Sequence, residues 1–119
     1  MNINLEQKFT KFSEHWHPYI VGELNENYVK LAKLKGELVW HSHEHEDELF
    51  IVLSGTLIMD FRDKTVVTKQ GEILIVPKGV EHRPRTNGEE VQIILIEPKS
   101  TKHTGNITVE QTVKELEWI

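Results

Sequence analysis

The chain has 119 residues, of which 28% are charged and 38% hydrophobic, a balance typical of one soluble domain with a modest core. Its formal net charge of −5 argues against binding to nucleic acid or to an acidic membrane surface. It has no cysteine, which excludes disulfides, thiolate metal sites and cysteine nucleophiles. The longest apolar run has five residues and no signal-like segment opens the chain, so we expect a cytoplasmic protein without a membrane span.

The first predicted element is a short N-terminal helix. Asn4 and Gln7 have the spacing of a capping box, and Pro18 stops the helical pattern. The apolar residues that follow helical spacing are Leu5, Phe9, Phe12 and Trp16. We therefore expect a helix over residues 5–12 that packs on a larger body.

Short extended runs follow, with turn residues between them. They cover residues 20–24, 28–34, 37–42, 48–53, 56–61, 66–68, 73–76, 80–84 and 91–96. Short strands at nearly even spacing predict an all-β sandwich, jelly roll or barrel. The sequence has no linker, low-complexity segment or solenoid repeat, so we expect residues 1–119 to form a single domain.

Some of the predicted strands are apolar on both faces, namely those within residues 49–53, 73–76 and 93–96. A barrel strand needs only one apolar face, because the other face can meet water. The N-terminal helix would cover part of this outer surface, and a second copy of the chain would cover the rest. We therefore expect a twofold homodimer, with Trp118 and Ile119 docked on the body or on a partner.

Histidines are concentrated just before the run at residues 48–53. His41, His43 and His45 occupy alternate positions, and alternate side chains of a strand point to one face about 7 Å apart. Three acidic residues, 46–48, follow directly. Imidazoles beside a carboxylate suit a divalent transition metal. The spacing leaves open whether the pair is His41 with His43 or His43 with His45, and whether Asp47 or Glu48 is the carboxylate.

Two segments together resemble the two motifs of the cupin superfamily. The first motif is matched by His41-x-His43, four residues, Glu48, six residues and Gly55, although Gly36 stands one position closer to His41 than the motif has it. The second motif is matched by Gly71, Pro77, Gly79 and His82, with Thr86 where the motif has asparagine. Fifteen residues separate the two segments, as in small microbial cupins.

The resemblance implies a double-stranded β-helix, or jelly-roll cupin barrel, with its core at about residues 28–98 and a short N-terminal helix outside it. It also implies a divalent metal bound inside the barrel by His41, His43, Glu48 and His82. Three imidazoles and one carboxylate suit Fe, Mn, Ni, Co, Cu or Zn, and the sequence does not choose among them.

Further residues are candidates for the surroundings of the metal or for a ligand pocket: His45, Trp40, Phe50 and Arg83. Arg83 and Arg85 would either receive an anionic substrate or form salt bridges on a solvated strand face. Three histidines lie outside the motifs and are expected at the surface: His15, His17 and His103.

The flanking sequence resembles small single-domain microbial cupins, some of which are labelled mannose-6-phosphate isomerase-like. Three functions are compatible with it. The first is a metal-dependent enzyme on a small polar molecule, either an isomerase with His45 or Glu46 as base or an oxygenase. The second is a module that binds a small ligand without turnover. The third is a structural dimer with an unused metal site, and the fold alone does not decide among them.

Overall fold

The computed structural model describes all 119 residues. It contains one short helix, α1 (Leu5–Phe9), and eight strands. The strands are β1 (Tyr19–Leu24), β2 (Asn27–Leu34), β3 (Glu48–Ser54), β4 (Thr56–Phe61), β5 (Thr65–Lys69), β6 (Ile73–Val76), β7 (His82–Arg85) and β8 (Val91–Pro98). The predicted all-β class with a short N-terminal helix is confirmed.

The strands form two antiparallel sheets that share one core. The larger sheet has the order β1-β2-β8-β3-β6, and the smaller has the order β5-β4-β7. Buried residues from both sheets belong to a single apolar cluster, among them Phe50 and Leu95 of the larger sheet and Leu57 and Met59 of the smaller. This arrangement is the jelly-roll barrel that the sequence resemblance implied.

The helix is shorter than predicted, because it ends at Phe9 and not at residue 12. Its start follows the prediction, since the side chain of Asn4 accepts a hydrogen bond of 2.9 Å from the N–H of Gln7. At the other end, the hydroxyl of Thr10 donates to the carbonyl of Gln7, which competes with a further helical turn. Phe12 and Trp16 are buried beyond the helix, so their apolar spacing has a different cause.

The run at residues 37–42 was predicted as a strand, and this prediction is wrong. The segment touches β7 through two isolated bridges, Glu37 with Arg85 and His41 with His82. The pairing shifts by one residue between these bridges, and Pro84 lies between them without an N–H to donate. A regular ladder therefore cannot form, and β7 is limited to four residues.

Alternation along the strands of the larger sheet decides which side chains reach the barrel interior. In β3, Glu48, Phe50 and Val52 are buried, while the residues between them are only partly covered. In β8, Ile93, Leu95 and Glu97 follow the same rule. The inner face therefore carries the core and also several polar groups.

The outer face of the larger sheet is only half covered. Helix α1 and the end of the chain cover β1 and β2, through an apolar cluster made of Phe9, Phe12, Tyr19, Val21 and Leu31 with Ile119 against it. The N–H of Ile119 donates to the carbonyl of Ile20, so the chain end docks on β1. On β6, Ile73 and Ile75 remain 60% and 57% exposed. The chain has no helix with the length and apolarity needed to cross a membrane.

Candidate metal centre

Four polar side chains converge in the barrel interior. His41 and His43 come from the loop between β2 and β3, Glu48 is the first residue of β3, and His82 is the first residue of β7. All four are at most 4% exposed. Their potential ligand atoms lie within 4.8 Å of one another. The backbones of His41 and His82 exchange hydrogen bonds of 3.0 and 2.9 Å, which holds these two imidazoles together.

Backbone carbonyls fix the orientation of two of the rings. Nδ1 of His41 lies 2.8 Å from the carbonyl oxygen of Val39, and Nδ1 of His82 lies 2.9 Å from that of Val80. A carbonyl only accepts, so Nδ1 carries the proton in both rings. In the neutral rings, Nε2 is then an unprotonated lone-pair donor. An outer hydrogen bond of this kind is the usual partner of a metal-binding histidine.

The inward atoms of the cluster have no hydrogen-bond partner. Oε1 of Glu48 lies 3.0 Å from Nε2 of His43 and 3.1 Å from Nε2 of His82, yet all three atoms are buried without a geometrically acceptable hydrogen bond. An unprotonated Nε2 of His82 facing a carboxylate oxygen brings two lone pairs together. A cation between them would remove this repulsion and satisfy the buried atoms at once.

The dimensions of the cluster also fit a metal ion. Metal–nitrogen and metal–oxygen bonds of about 2.0–2.2 Å place two ligand atoms at most about 4.4 Å apart. The observed limit of 4.8 Å needs a contraction of only a few tenths of an ångström. Cysteine is absent, so the set consists of three nitrogens and one oxygen, which suits a divalent transition metal.

The pKa values of two candidate ligands favour the protonation states that bind metal. Burial, and then the neighbouring His82, lower the pKa of His41 to about 4, so its ring is neutral at pH 7. Burial acts to raise the pKa of Glu48, but hydrogen bonds that its carboxylate accepts from the protonated forms of His43 and His82, and from the carboxyl of Glu97, hold that pKa well below its usual range. The carboxylate is therefore ionised, as a metal ligand has to be.

A second buried polar pair lies behind Glu48. Nζ of Lys30 is 2.6 Å from Oε1 of Glu97, and both side chains are at most 2% exposed. Strand register brings Glu97 beside Glu48, because Leu49 pairs with Ile96 in the antiparallel ladder. Burial, and then the charge of Glu48, raise the pKa of Glu97 well above its usual value. Lys30 opposes this effect.

The tail that follows β8 (residues 99–119) holds the histidine loop in place. The N–H of Ser42 donates to the side chain of Asn106 at 3.0 Å, and the N–H of Asn106 donates back to the carbonyl of Ser42 at 3.1 Å. Ser42 lies between His41 and His43, so this reciprocal pair fixes the backbone on which both rings stand. Nothing in the sequence motifs indicated this contact.

The family comparison agrees with the fold. Residues 27–98 match the family described as the cupin domain. The chain belongs to the cupin family. The matched segment extends from β2 to β8 and so contains all four residues of the cluster.

Several relatives share this cupin's sequence or structure. It is 48% identical over 78 residues to the uncharacterized protein YdbB of Bacillus subtilis, which covers 65% of this chain and 69% of YdbB. A cupin-2 domain protein of Shewanella frigidimarina superposes with a TM-score of 0.79 at 46% identity, over 82% of this chain and 94% of its own. A protein of Neisseria meningitidis has a TM-score of 0.76 at 33% identity, over 83% and 100% of the two chains.

The motif spacing left two alternatives open, and the structure of this cupin shows where their residues lie. The side chain of His45 is 78% exposed and faces Glu44, so it lies outside the cluster. Asp47 is exposed, accepts a hydrogen bond from the N–H of Lys78 at 2.8 Å and is not part of the cluster. The cluster is therefore built from His41, His43, Glu48 and His82.

Of the other residues predicted near the metal, one lies inside the barrel and two lie outside it. Phe50 is buried and lines a cavity beside His41 and Glu48. The ring of Trp40 packs against the guanidinium of Arg62, with 3.8 Å between the centroid and the guanidinium carbon. Arg83 is paired with Asp60 at 2.9 Å. Trp40 and Arg83 do not line the cavity beside His41 and Glu48, and their role near a ligand stays a prediction.

Sequence reasoning missed two residues of the site. His103 was expected at the surface, but it is half-buried and lines the same cavity as His41 and Glu48. Trp16 was counted only in the apolar spacing of the N-terminal helix, but it lines this cavity. Neither residue stands at a motif spacing, and both reach the barrel from flanking segments. His15 is exposed, as expected, and lies 2.8 Å from Glu90, whereas His17 is half-buried and stacks on Tyr19.

Proposed function

We propose that the chain works as a single domain that binds one divalent transition metal through His41, His43, Glu48 and His82 and holds a small molecule at that ion. The observation that carries the proposal is the group of buried, unpartnered Nε2 and Oε1 atoms that face one another across about 3 Å. When bound, such an ion acts as a Lewis acid toward an oxygen atom of the ligand.

The residues of the chain supply orientation and exclusion of water. The carbonyls of Val39 and Val80 hold the rings of His41 and His82. The apolar interior keeps bulk water from the cluster, which strengthens electrostatic interactions at the ion. Binding of a small molecule needs no further group from the protein.

A second candidate function, isomerisation of sugar phosphates, has less support from the residues around the cluster. It would need a general base and cationic groups beside the metal. His45 is exposed, and the carboxylate of Glu46 accepts a hydrogen bond from Ser100 at the surface. Arg83 and Arg85 are both paired with Asp60 outside the cavity.

The proposal is tested by titrating metal-free protein with Mn²⁺, Co²⁺ and Zn²⁺ in a calorimeter. We expect one saturable site per chain. His82→Ala should weaken it by more than the about 10–100-fold that loss of an outer hydrogen-bond partner causes. His45→Ala is the matched control, because it removes an exposed histidine from the same loop. Equal affinities in the two variants would contradict the proposal.

We also propose that the protein is a homodimer through the uncovered half of the larger sheet. Leu49 and Ile51 on β3 pair with Ile75 and Ile73 on the edge strand β6 and carry the same outward face. Ile96 of β8 continues this face on the other side of β3. A contiguous patch of this kind is unusual on a monomer, and a twofold axis would bury it against itself.

Light scattering after gel filtration tests the dimer. We expect twice the chain mass of 13.9 kDa for the unaltered protein and the monomer mass for the double variant Ile73→Lys, Ile75→Lys. Val67→Lys is the control, because Val67 is 52% exposed on the smaller sheet, outside the proposed interface. A monomer mass for the unaltered protein would refute the dimer.

A further inference from the structure

A small apolar cavity borders the candidate metal centre in the barrel. Its volume is about 40 Å³, and His41 and Glu48 belong to its lining. The rest of the lining is apolar except for His103, and it contains no lysine or arginine. A molecule that approaches the ion from this side therefore meets almost only hydrocarbon surface.

Trp16 lines the cavity, and two hydrogen bonds hold it in place. Its N–H donates to the carbonyl of Lys33 at 2.9 Å, and its indole Nε1 donates to the carbonyl of Lys35 at 2.8 Å. Both polar atoms are thus used by the backbone. Trp16 has φ +58, a backbone conformation that residues other than glycine rarely adopt. Backbone strain of this kind is typical of positions that shape a functional site.

His103 is the single polar group of the cavity that does not belong to the metal cluster. Its Nδ1 accepts a hydrogen bond of 2.9 Å from the N–H of Val113. The proton of the neutral ring is therefore on Nε2, which makes His103 a hydrogen-bond donor. Burial, and then the nearby His41, lower the pKa of His103 to about 4. The ring is neutral at pH 7.

We infer that the metal centre takes short aliphatic monocarboxylates, whose carboxylate binds at the ion and accepts a hydrogen bond from Nε2 of His103. The alkyl tail fills the cavity beside Trp16, Leu38 and Phe50. The inference rests on the proposed metal site. A divalent ion with the single carboxylate of Glu48 leaves one excess positive charge, which a monoanion neutralises. The cavity accommodates only about three water-sized groups, so the tail is limited to a few carbon atoms.

Phosphorylated sugars do not suit this cavity, because a phosphate would lose its hydration without gaining a cationic partner. A larger polar hollow of about 210 Å³ lies on the other side of His43, where Lys102 is accompanied by Glu44 and Glu46. Gly105, which lines that hollow, packs beside Nδ1 of His43, whereas Nε2 faces Glu48. We therefore assign the ligand to the apolar cavity.

The test uses zinc-loaded protein and calorimetric titration with isobutyrate, acetate and mannose 6-phosphate. Zinc content is measured first, so failure of the metal site is distinguished from failure of this inference. We expect isobutyrate to bind about ten-fold more tightly than acetate, because two additional methyl groups are buried. Equal affinity for the two acids, or tighter binding of mannose 6-phosphate, would overturn the inference.

Two variants alter the cavity without touching the ligands of the metal. Ala32→Val adds volume to a lining position and should abolish the preference for isobutyrate over acetate while zinc content stays at that of the unaltered protein. Leu38→Ala enlarges the cavity and should shift the preference toward 3,3-dimethylbutyrate. If Ala32→Val does not fold, Leu38→Ala alone tests whether the acids bind in this cavity. An unchanged preference in a folded, zinc-loaded variant would contradict the assignment.

A variant of His103 tests the hydrogen bond. His103→Phe removes the donor but keeps a ring of similar size. We expect a loss of about three- to ten-fold in the affinity for both acids, with their ratio unchanged, because the lost contact is to the shared carboxylate. Zinc affinity is the second readout and should not change. Unchanged acid affinity would show that His103 does not contact the ligand.

Discussion

Gly105 packs directly against the backbone carbonyl of Ser42, so closely that a Cβ at this position would overlap the carbonyl oxygen and stand 3.3 Å from Nδ1 of His43. Gly105 also has φ +56, where other residues are strained. The close approach allows Asn106 to bond the backbone of Ser42. The tail thereby supports the loop that carries two of the candidate ligands.

Gly105→Ala should therefore destabilise the protein and weaken metal binding together. We expect a loss of about 2–4 kcal/mol in the free energy of unfolding, from the left-handed backbone and the overlap combined. Gly88→Ala is the matched control, since Gly88 has φ +85 but nothing within 4 Å of an added Cβ. It should cost about 1 kcal/mol and leave metal affinity unchanged. Urea unfolding and metal titration of both variants measure the difference, and equal effects would refute the role of Gly105.

Lys30 and Glu97 should depend on each other for their effect on the stability of the protein. Replacing one partner, as in Lys30→Met, leaves a buried polar group without its neighbour and should cost about 3–5 kcal/mol. The double variant Lys30→Met, Glu97→Leu should recover most of this loss, because it leaves no uncompensated group in the barrel. Urea unfolding of the two single variants and the double variant measures the coupling free energy between the two side chains. Additive losses would show that the two side chains do not depend on each other.

Asp60 should contribute stability that is lost at acid pH. The guanidinium of Arg85 first, and also Arg83 and Thr65, lower the pKa of Asp60 from 3.8 to about 2. The unfolded chain therefore takes up the proton first as the pH falls, so the contribution is complete above about pH 4 and disappears as the pH falls to about 2. Asp60→Asn should flatten the stability profile in this window. Asp63→Asn changes an exposed loop residue and should leave the profile as it is.

The metal-free protein should also lose stability between about pH 6.5 and pH 4. Burial lowers the pKa of His41 from 6.5 to about 4, so the unfolded state binds this proton before the folded state does. The stability that the neutral ring contributes is complete above pH 6.5 and is lost as the pH falls through about 4. His103 titrates in the same window. His41→Gln should reduce this slope, whereas His45→Gln, at an exposed ring, should not.

The four residues of the cluster were accessible from the sequence because they stand at the motif spacings, although His41 and His43 lie on a loop and not on the predicted strand. His41 and His43 are two residues apart, and Glu48 opens the strand that follows. The alternation of side chains along the strands also indicates that Lys30 and Glu97 are buried, although this was not predicted. Lys30 shares parity with Ala32 and Leu34 on β2, and Glu97 shares parity with Leu95 on β8, so both had to face the core.

The lining of the cavity was not accessible from the sequence. Trp16 and His103 lie outside the strands, and no periodic pattern relates them to His41 or to each other. Their positions depend on how the flanking segments fold over the barrel. The end of α1 was missed for a related reason, since Phe12 and Trp16 are apolar because they pack against sheets and not because they continue a helix.

The proposed metal site is best tested by an anomalous difference map from a crystal of the protein loaded with Co²⁺. One peak per chain is expected inside the barrel, about 2.0–2.2 Å from ligand atoms of His41, His43, Glu48 and His82. A map with no peak among these side chains, or with a peak only at surface histidines such as His45, would contradict the account.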